Sequence, residues 1–136
     1  MAGYLIDFKQ IDETDGSLVF MEGNAQIPFE IKRVFYVFDT PSDSERANHA
    51  NKNTDFVLIC VHGSVRVELD DGTDVQVFHL DSSNKGVYIP KMTWMRTFDF
   101  ENDAVLLALA SERYQENQYY EDYDEFLRVK EVERKE

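Results

Sequence analysis

Residues 56–80, FVLICVHGSVRVELDDGTDVQVFHL, decide the fold of this chain. The stretch contains three apolar or alternating runs of strand length, at residues 56–61, 64–69 and 75–80. Between the last two runs stands Asp71-Gly72, the two-residue signal of a hairpin turn in which both central residues take positive φ, so these runs should pair. Gly63 predicts a tight turn or a bulge between the first two runs. The stretch therefore predicts successive antiparallel strands.

Similar short runs continue on both sides of this stretch. They lie at residues 4–8, 17–21, 29–38, 86–90, 94–100 and 104–110. Pro90 must stand at a strand end or edge, because proline cannot donate to a β-ladder. Many short strands separated by turn signals are typical of a β-sandwich or β-barrel. We therefore predict an all-β fold.

Only the C-terminal stretch changes period. Tyr119, Tyr123, Phe126 and Leu127 recur at the spacing of one helical face, with charged residues between them. This pattern predicts one terminal helix, over about 119–134, that packs on the β-structure.

Length and composition limit the function classes. The 136 residues fit a single domain, 1–136, and 43% hydrophobic residues allow a sizeable core. A net charge of −13 opposes binding to nucleic acids or anionic membranes. The N-terminus lacks a secretion signal, and no apolar run approaches the roughly 20 residues that span a bilayer. With Cys60 as the one cysteine, these features indicate a cytoplasmic protein.

The sequence offers three histidines as chemical candidates. His62 directly precedes the turn or bulge predicted at Gly63. Alternation along its strand places His79 on the face opposite Phe78 and Leu80, so both histidines are interpreted as structural. His49 differs because it lies in a polar stretch with Arg46 and Asn51. Loop and strand-end positions on a rigid scaffold commonly carry binding and catalytic groups. His49 is therefore the principal candidate.

Five pieces of the sequence together resemble a known family. They are GSLVFMEGNAQIPFEIKRVFYVFDT (16–40), R-x-x-H-A-x-K (46–52), LDDG (69–72), VYIPKMTW (87–94) and LALASERYQENQYYEDYDEF (107–126). In combination they resemble the cupin-like sugar 3,4-ketoisomerases that act on dTDP-4-keto-6-deoxy-D-glucose. The resemblance covers residues 5 to 127.

The resemblance implies a cupin-like jelly-roll barrel with a C-terminal helix, no metal and no cofactor. It also implies a homodimer that exchanges N-terminal strands and a nucleotide-linked deoxysugar in the barrel mouth. The implied reaction moves a ketone from C4 to C3 of the hexose through an enediolate. Its product would serve deoxyamino-sugar biosynthesis, for example for lipopolysaccharide O-antigen.

The resemblance also assigns candidate site residues. His49 would be the acid and base, with Asn51 and Tyr36 as further catalytic candidates. An imidazole with a pKa near 6.5 can take and return a proton at neutral pH. The substrate would be bound by Arg46, Arg33, Lys52 and Trp94. Arg33 is chosen over its neighbour Lys32 because strand alternation directs only one of the two into the barrel.

The chain departs from the family pattern at four positions. The usual motif R-G-x-H-A-H-K has Ala47 in place of its glycine and Asn51 in place of its second histidine. Asp15 and Met95 also differ from residues common in relatives, which leaves the C4 configuration of the product, galacto or gluco, open. An amide and a thioether are poor ligands for iron or zinc in a His-rich site, so no metal is expected.

Two alternative functions stay open from the sequence. One is a related cupin-like nucleotide-sugar epimerase, which would need a carboxylate beside the histidine; Asp55 is the nearby candidate. The other is a noncatalytic nucleotide-sugar binding domain, and the presence of Asn51 in place of the second motif histidine would be consistent with such a loss of activity.

Overall fold

The computed structural model describes residues 3–135, which form ten β-strands and one α-helix. The strands are β1 (Tyr4–Asp7), β2 (Gln10–Glu13), β3 (Gly16–Val19), β4 (Arg33–Val37), β5 (Arg46–Asn51), β6 (Phe56–Asp70), β7 (Val75–Leu80), β8 (Lys85–Ile89), β9 (Trp94–Ala110) and β10 (Tyr119–Tyr120), followed by the helix α1 (Tyr123–Lys135). The predicted all-β class with a C-terminal helix is confirmed.

Two long strands, β6 and β9, join the eight-stranded sheet into two layers. In the first layer, the N-terminal part of β6 pairs with β8, which pairs with β1, while the C-terminal part of β9 pairs with β4. In the second layer, the C-terminal part of β6 pairs with β7, while the N-terminal part of β9 pairs with β5, which pairs with β10. All these pairs are antiparallel, so the arrangement is a jelly-roll sandwich.

Bulges let β6 and β9 pass from one layer to the other. The register of the β6–β9 pair shifts between Cys60 and Arg66. Gly63 lies within this shift at a φ of +73°, and a Cβ there would clash with the carbonyl oxygen of Glu101. Of the two predictions for Gly63, the bulge is confirmed. Runs 56–61 and 64–69, predicted as two strands, therefore form the single bulged strand β6. Runs 94–100 and 104–110 likewise form the single strand β9.

The predicted hairpin between β6 and β7 is confirmed, but its predicted turn is wrong. The connection contains four residues, 71–74, and the N–H of Asp71 donates to the carbonyl oxygen of Asp74. Gly72 alone among the four takes positive φ. Asp70 accepts a hydrogen bond from the Gly72 N–H, and Asp71 accepts from the next two N–H groups. These carboxylates stabilise the longer loop.

The hydrophobic core lies between the two layers, with a second cluster outside the first layer. Leu58, Val67 and Leu106 belong to the central core. Val57 and Ile59 point to the opposite face of β6, because side chains alternate along a strand. The N-terminal segment covers that face with buried side chains that include Phe8, Ile27 and Phe29.

The helix α1 begins four residues later than predicted. The side chain of Asp122 accepts hydrogen bonds from the N–H groups of Asp124 and Glu125, which caps the helix at its first turn. Residues 119–120 form β10 and pair with β5 instead. Phe126 is fully buried, with its ring 5.7 Å from that of Trp94, so α1 covers the outer face of the second layer.

Within residues 3–135, no helix has the length and apolar character that a membrane crossing requires.

Candidate active site

A bulge in β5 places two polar side chains on the inner face of the sandwich. Arg46 lies opposite Thr97 of β9, and His49 lies opposite the buried Met95. Residues three apart in a regular strand point to opposite faces. Ala47 and Asn48 both take left-handed φ values, 69° and 57°, and the register shifts here. The bulge therefore turns both side chains toward the interior.

Strand β4 presents one charged residue to the same interior. Arg33 lies opposite Ala110 of β9, and Phe35 lies opposite Ala108. Both alanines belong to the central core, so Arg33 and Phe35 share its face. The preceding Lys32 is exposed and its Nζ lies 3.3 Å from a carboxylate oxygen of Glu112. The choice of Arg33 over Lys32 as the inward residue agrees with this geometry.

The two layers enclose a cavity of about 200 Å³ at this face. Its apolar lining consists of Phe35, Val37, Ala47, Phe56, Leu58, Met95 and Leu106, and its side chains with polar atoms are Arg46, His49, Thr97 and Tyr119. A mostly apolar concave site with a few convergent polar groups is the usual form of a ligand site.

His49 is half-buried at the edge of this cavity. Burial lowers the pKa of its imidazole from the usual 6.5, and the nearby negative charge of Glu121 partly opposes this shift. The His49 ring contacts the ring of Tyr119 edge-on, with the centroids 4.0 Å apart. Because a lowered pKa keeps the imidazole neutral at pH 7, His49 is ready to accept a proton.

Asn51 and Arg33 carry buried polar atoms that lack protein partners. Asn51 is 2% exposed, and neither its Oδ1 nor its Nδ2 has a hydrogen-bond partner among residues 3–135. The same holds for Nε and Nη2 of Arg33, whose guanidinium lies 5.5 to 5.9 Å from the ring centroids of Phe35, Phe56 and Tyr114. Unpaired buried polar groups are costly, so a polar ligand at this face would stabilise both residues.

Of the seven predicted site residues, only Arg46 and His49 line the cavity, whereas Arg33 and Asn51 lie outside its lining and Tyr36, Trp94 and Lys52 lie elsewhere in the fold. Tyr36 is 63% exposed on the outer face of β4, next to Phe38, because it alternates with the inward Phe35. Trp94 packs against the helix α1 on the outer face of the second layer. Lys52 lies with its Nζ 4.8 Å from the ring centroid of Tyr120. None of these three side chains lines the cavity.

The remaining candidates of the sequence lie elsewhere. His62 is exposed and its Nδ1 is 3.1 Å from the carbonyl oxygen of Asp103, while His79 is exposed on β7. Asp55 accepts a hydrogen bond from the N–H of Lys91 and lies outside the cavity lining. In the part of the chain that the structure describes, no three His, Cys, Asp or Glu side chains are grouped so that they could hold a metal ion.

Tyr119 is the cavity residue that sequence reasoning missed. The helical spacing of Tyr119 with Tyr123 and Phe126 placed it in α1, whereas it belongs to β10 and lies opposite Asn51. A signal was present, since Asp122-x-x-Glu125 is a capping pattern that marks a helix start after residue 122. Ending the helix there leaves residues 119 and 120 free to pair with β5.

Comparison with known proteins points to one group of enzymes. A family model described as FdtA: WxcM-like, C-terminal matches residues 1–131. The chain is 45% identical over 126 residues to a TDP-4-oxo-6-deoxy-alpha-D-glucose-3,4-oxoisomerase of Aneurinibacillus thermoaerophilus, with 93% of this chain and 91% of that protein covered.

Solved structures of related enzymes match over nearly the whole chain. A 3,4-ketoisomerase from Helicobacter canadensis superposes with a TM-score of 0.93 at 40% identity, covering 96% of this chain and 98% of that one. A histidine-to-asparagine mutant of the 3,4-ketoisomerase QdtA from Thermoanaerobacterium thermosaccharolyticum, in complex with TDP-4-keto-6-deoxyglucose, gives a TM-score of 0.92 at 37% identity. The match covers 96% of this chain and 95% of QdtA.

Proposed function

The chain belongs to the FdtA family of WxcM-like, C-terminal proteins, and from this membership we infer its reaction. It is an isomerase that moves the keto group of a TDP-linked 4-keto-6-deoxyhexose from C4 to C3. A ketone at C3 is what an amino-transferring enzyme needs in order to place an amino group at C3. We therefore propose that the product supplies deoxyamino-sugar biosynthesis, for example for lipopolysaccharide O-antigen.

The cavity fits the sugar end of such a substrate. A volume of about 200 Å³ is below the size of a usual drug-sized site and suits a hexose ring better than a whole nucleotide sugar. The nucleotide then lies toward the mouth, where the exposed end of Arg46 can reach the pyrophosphate. A guanidinium binds phosphate oxygens through paired hydrogen bonds. Arg33 is the second cation at the inner face and supplies the unpaired donors Nε and Nη2.

The observation that carries the mechanism is the half-buried His49 in the cavity wall, whose imidazole is kept neutral by burial. The C4 ketone acidifies the proton on C3. His49 takes this proton, and the electrons of the C3–H bond form the C3–C4 double bond of an enediolate. The imidazolium then returns a proton to C4, while the C3 oxygen loses its hydroxyl proton and becomes the ketone and the C4 oxygen gains a proton and becomes the hydroxyl. No net oxidation occurs.

Asn51 is proposed to stabilise the enediolate. It lies two residues from His49 on the same face of β5, and its buried amide has no protein partner among residues 3–135. An amide N–H can donate to a developing oxyanion, and a preorganised donor in a dry site lowers the barrier. An amide cannot accept and return a proton at neutral pH, so its role is electrostatic.

We also propose a homodimer that exchanges N-terminal strands. The hairpin of β2 and β3 forms its own two-stranded sheet. Leu18 on this hairpin, Tyr36 in β4 and Phe38 directly after β4 are each more than half exposed. Exposed apolar surface marks association sites, and a two-fold interface uses the same patch on both subunits. Light scattering should give twice the 15.9 kDa chain mass, and Leu18→Glu should shift the protein toward the monomer.

A cytoplasmic location is proposed for the enzyme. The single cysteine, Cys60, is buried as a free thiol, as is usual in reducing compartments.

Deuterated water tests the reaction. The protein is incubated with TDP-4-keto-6-deoxyglucose in deuterated water, and the sugar is followed by NMR. Deuterium at C3 or C4 together with a 3-keto product supports the isomerase. Incorporation at C5 would instead identify an epimerase, and binding without exchange would identify a noncatalytic binding domain.

A further inference from the structure

The isomerisation, as inferred above, requires proton transfers at oxygen as well as at carbon. His49 accounts for the proton that leaves C3 and the proton that reaches C4. The hydroxyl proton on the C3 oxygen must also leave when that oxygen becomes a ketone, and the C4 oxygen must gain a proton. A single imidazole that is occupied with the carbon proton cannot carry the oxygen proton in the same step.

The cavity offers few groups for this second transfer. Its titratable lining residues, among residues 3–135, are Arg46, His49 and Tyr119. An arginine side chain stays protonated in proteins, so it cannot accept a proton. Asn51 has an amide, which does not titrate. A phenol both donates and accepts hydrogen bonds and can exchange its proton, which leaves Tyr119.

The position of Tyr119 fits this role. β10 pairs with β5 so that Tyr119 lies directly opposite Asn51, while its ring contacts His49 edge-on. The side chain lines the cavity together with His49 and Arg46. The neighbouring Tyr120 faces away, with its ring beside Lys52. The two-residue strand therefore directs one phenol to the site and one away from it.

We propose that Tyr119 is a catalytic residue that moves the oxygen-bound proton of the isomerisation, in partnership with His49. His49 removes the proton from C3, and Tyr119 then donates its phenolic proton to the C4 oxygen of the resulting enediolate, which gives the enediol. The tyrosinate then takes the proton from the C3 oxygen as the C3 ketone forms and the imidazolium protonates C4. Both residues end in their starting forms, and the sugar has only exchanged the positions of its ketone and hydroxyl.

The test uses the full chain and a matched pair of variants. Tyr119→Phe removes the hydroxyl and keeps the ring that contacts His49, whereas Tyr120→Phe removes a hydroxyl from the opposite face. The variants are assayed with TDP-4-keto-6-deoxyglucose for kcat and KM, and their folding is compared by thermal melting. We expect kcat of Tyr119→Phe to fall at least 30-fold with KM within about threefold of the parent. Tyr120→Phe should behave like the parent.

A second variant separates proton transfer from packing. Residue 51 lies opposite residue 119, so Asn51→His places an imidazole next to the missing hydroxyl. We expect the double variant Asn51→His, Tyr119→Phe to regain at least tenfold in kcat over Tyr119→Phe. A kcat within threefold of the parent for Tyr119→Phe, or a double variant no faster than Tyr119→Phe while Asn51→His alone stays active, overturns the proposal for Tyr119. Absence of isomerisation by the parent protein would instead refute the proposed function itself.

Discussion

Arg46 and His49 face the same cavity although they are three positions apart along β5, because the strand bulges between them at Ala47 and Asn48. The bulge holds Ala47 at a φ of 69°, a conformation that favours glycine. Ala47 therefore keeps the site geometry at the cost of backbone strain.

The first prediction concerns this strain. Ala47→Gly should raise the free energy of unfolding by about 1 kcal/mol, since an L-residue costs about 1–2 kcal/mol in the left-handed region. For a domain of this size the melting temperature should rise by a few degrees. Ala25→Gly, at an exposed turn residue without positive φ, serves as the control and should not stabilise the protein. A lower melting temperature for Ala47→Gly would contradict the assignment of strain.

The second prediction concerns the base. His49→Asn should lower kcat by about 10²- to 10⁴-fold, the usual contribution of a positioned general base. TDP binding, measured by calorimetry, should change little, because the pyrophosphate contacts are assigned to the arginines. His79→Asn removes an exposed imidazole on β7 and should leave both quantities unchanged. Substantial turnover by His49→Asn would rule out His49 as the base.

The sequence predicts much of the fold because alternation and turn residues are local signals. Apolar alternation predicts the runs that form β6, β7 and β9, and the turn residues Asp71-Gly72 predict the pairing of β6 with β7. The sequence did not show that β6 and β9 continue through their bulges, since Gly63 allows either a bulge or a turn. The choice depends on the close approach of the Glu101 backbone, which is a contact between distant residues.

Part of the candidate site follows from the same kind of local signal, the alternation of side chains along a strand. Alternation along β4 directs Arg33 rather than Lys32 inward, and it directs Tyr36, which follows the inward Phe35, to the outer face. The family resemblance assigns Trp94 to substrate binding, whereas in the structure its ring packs against the helix α1. The approach of Tyr119 to His49 depends on the pairing of β10 with β5, and a two-residue strand leaves almost no periodic signal.

The third prediction is the pH dependence that follows from His49. Its lowered pKa means that the folded state binds fewer protons than the unfolded state below about pH 6.5. The corresponding stability is present above pH 6.5 and is lost as the pH falls through the lowered pKa. The acidic limb of kcat/KM should likewise lie below pH 6.5, because the base must be neutral.

A neighbouring charge provides the control for this pH dependence. The carboxylate of Glu121 raises the pKa of His49, so Glu121→Gln should move the acidic limb to still lower pH. The acidic limb of the parent and that of Glu121→Gln are each measured by a pH–rate profile. An acidic limb above pH 6.5 in the parent, or a shift toward higher pH in Glu121→Gln, would contradict the assignment of the limb to His49.

The last prediction separates binding from stability at Arg33. Two nitrogens of its guanidinium are buried without protein partners among residues 3–135, so the residue is costly to the empty protein. Arg33→Met keeps a long side chain against Phe35 and Phe56 and removes the buried charge. We expect the melting temperature to stay level or rise, since apolar replacement of a buried charge is often neutral or stabilising.

The same variant should bind the substrate more weakly. Hydrogen bonds to a charged group contribute about 1.5–3 kcal/mol, which corresponds to about a 10- to 150-fold rise in the Kd for TDP-sugar. Lys32→Met removes the adjacent exposed cation, whose partner is Glu112, and should leave the Kd within about twofold. Opposite changes in stability and affinity at Arg33 would identify a charge that is retained for the ligand. A loss of stability with unchanged affinity would show that the guanidinium serves the fold instead.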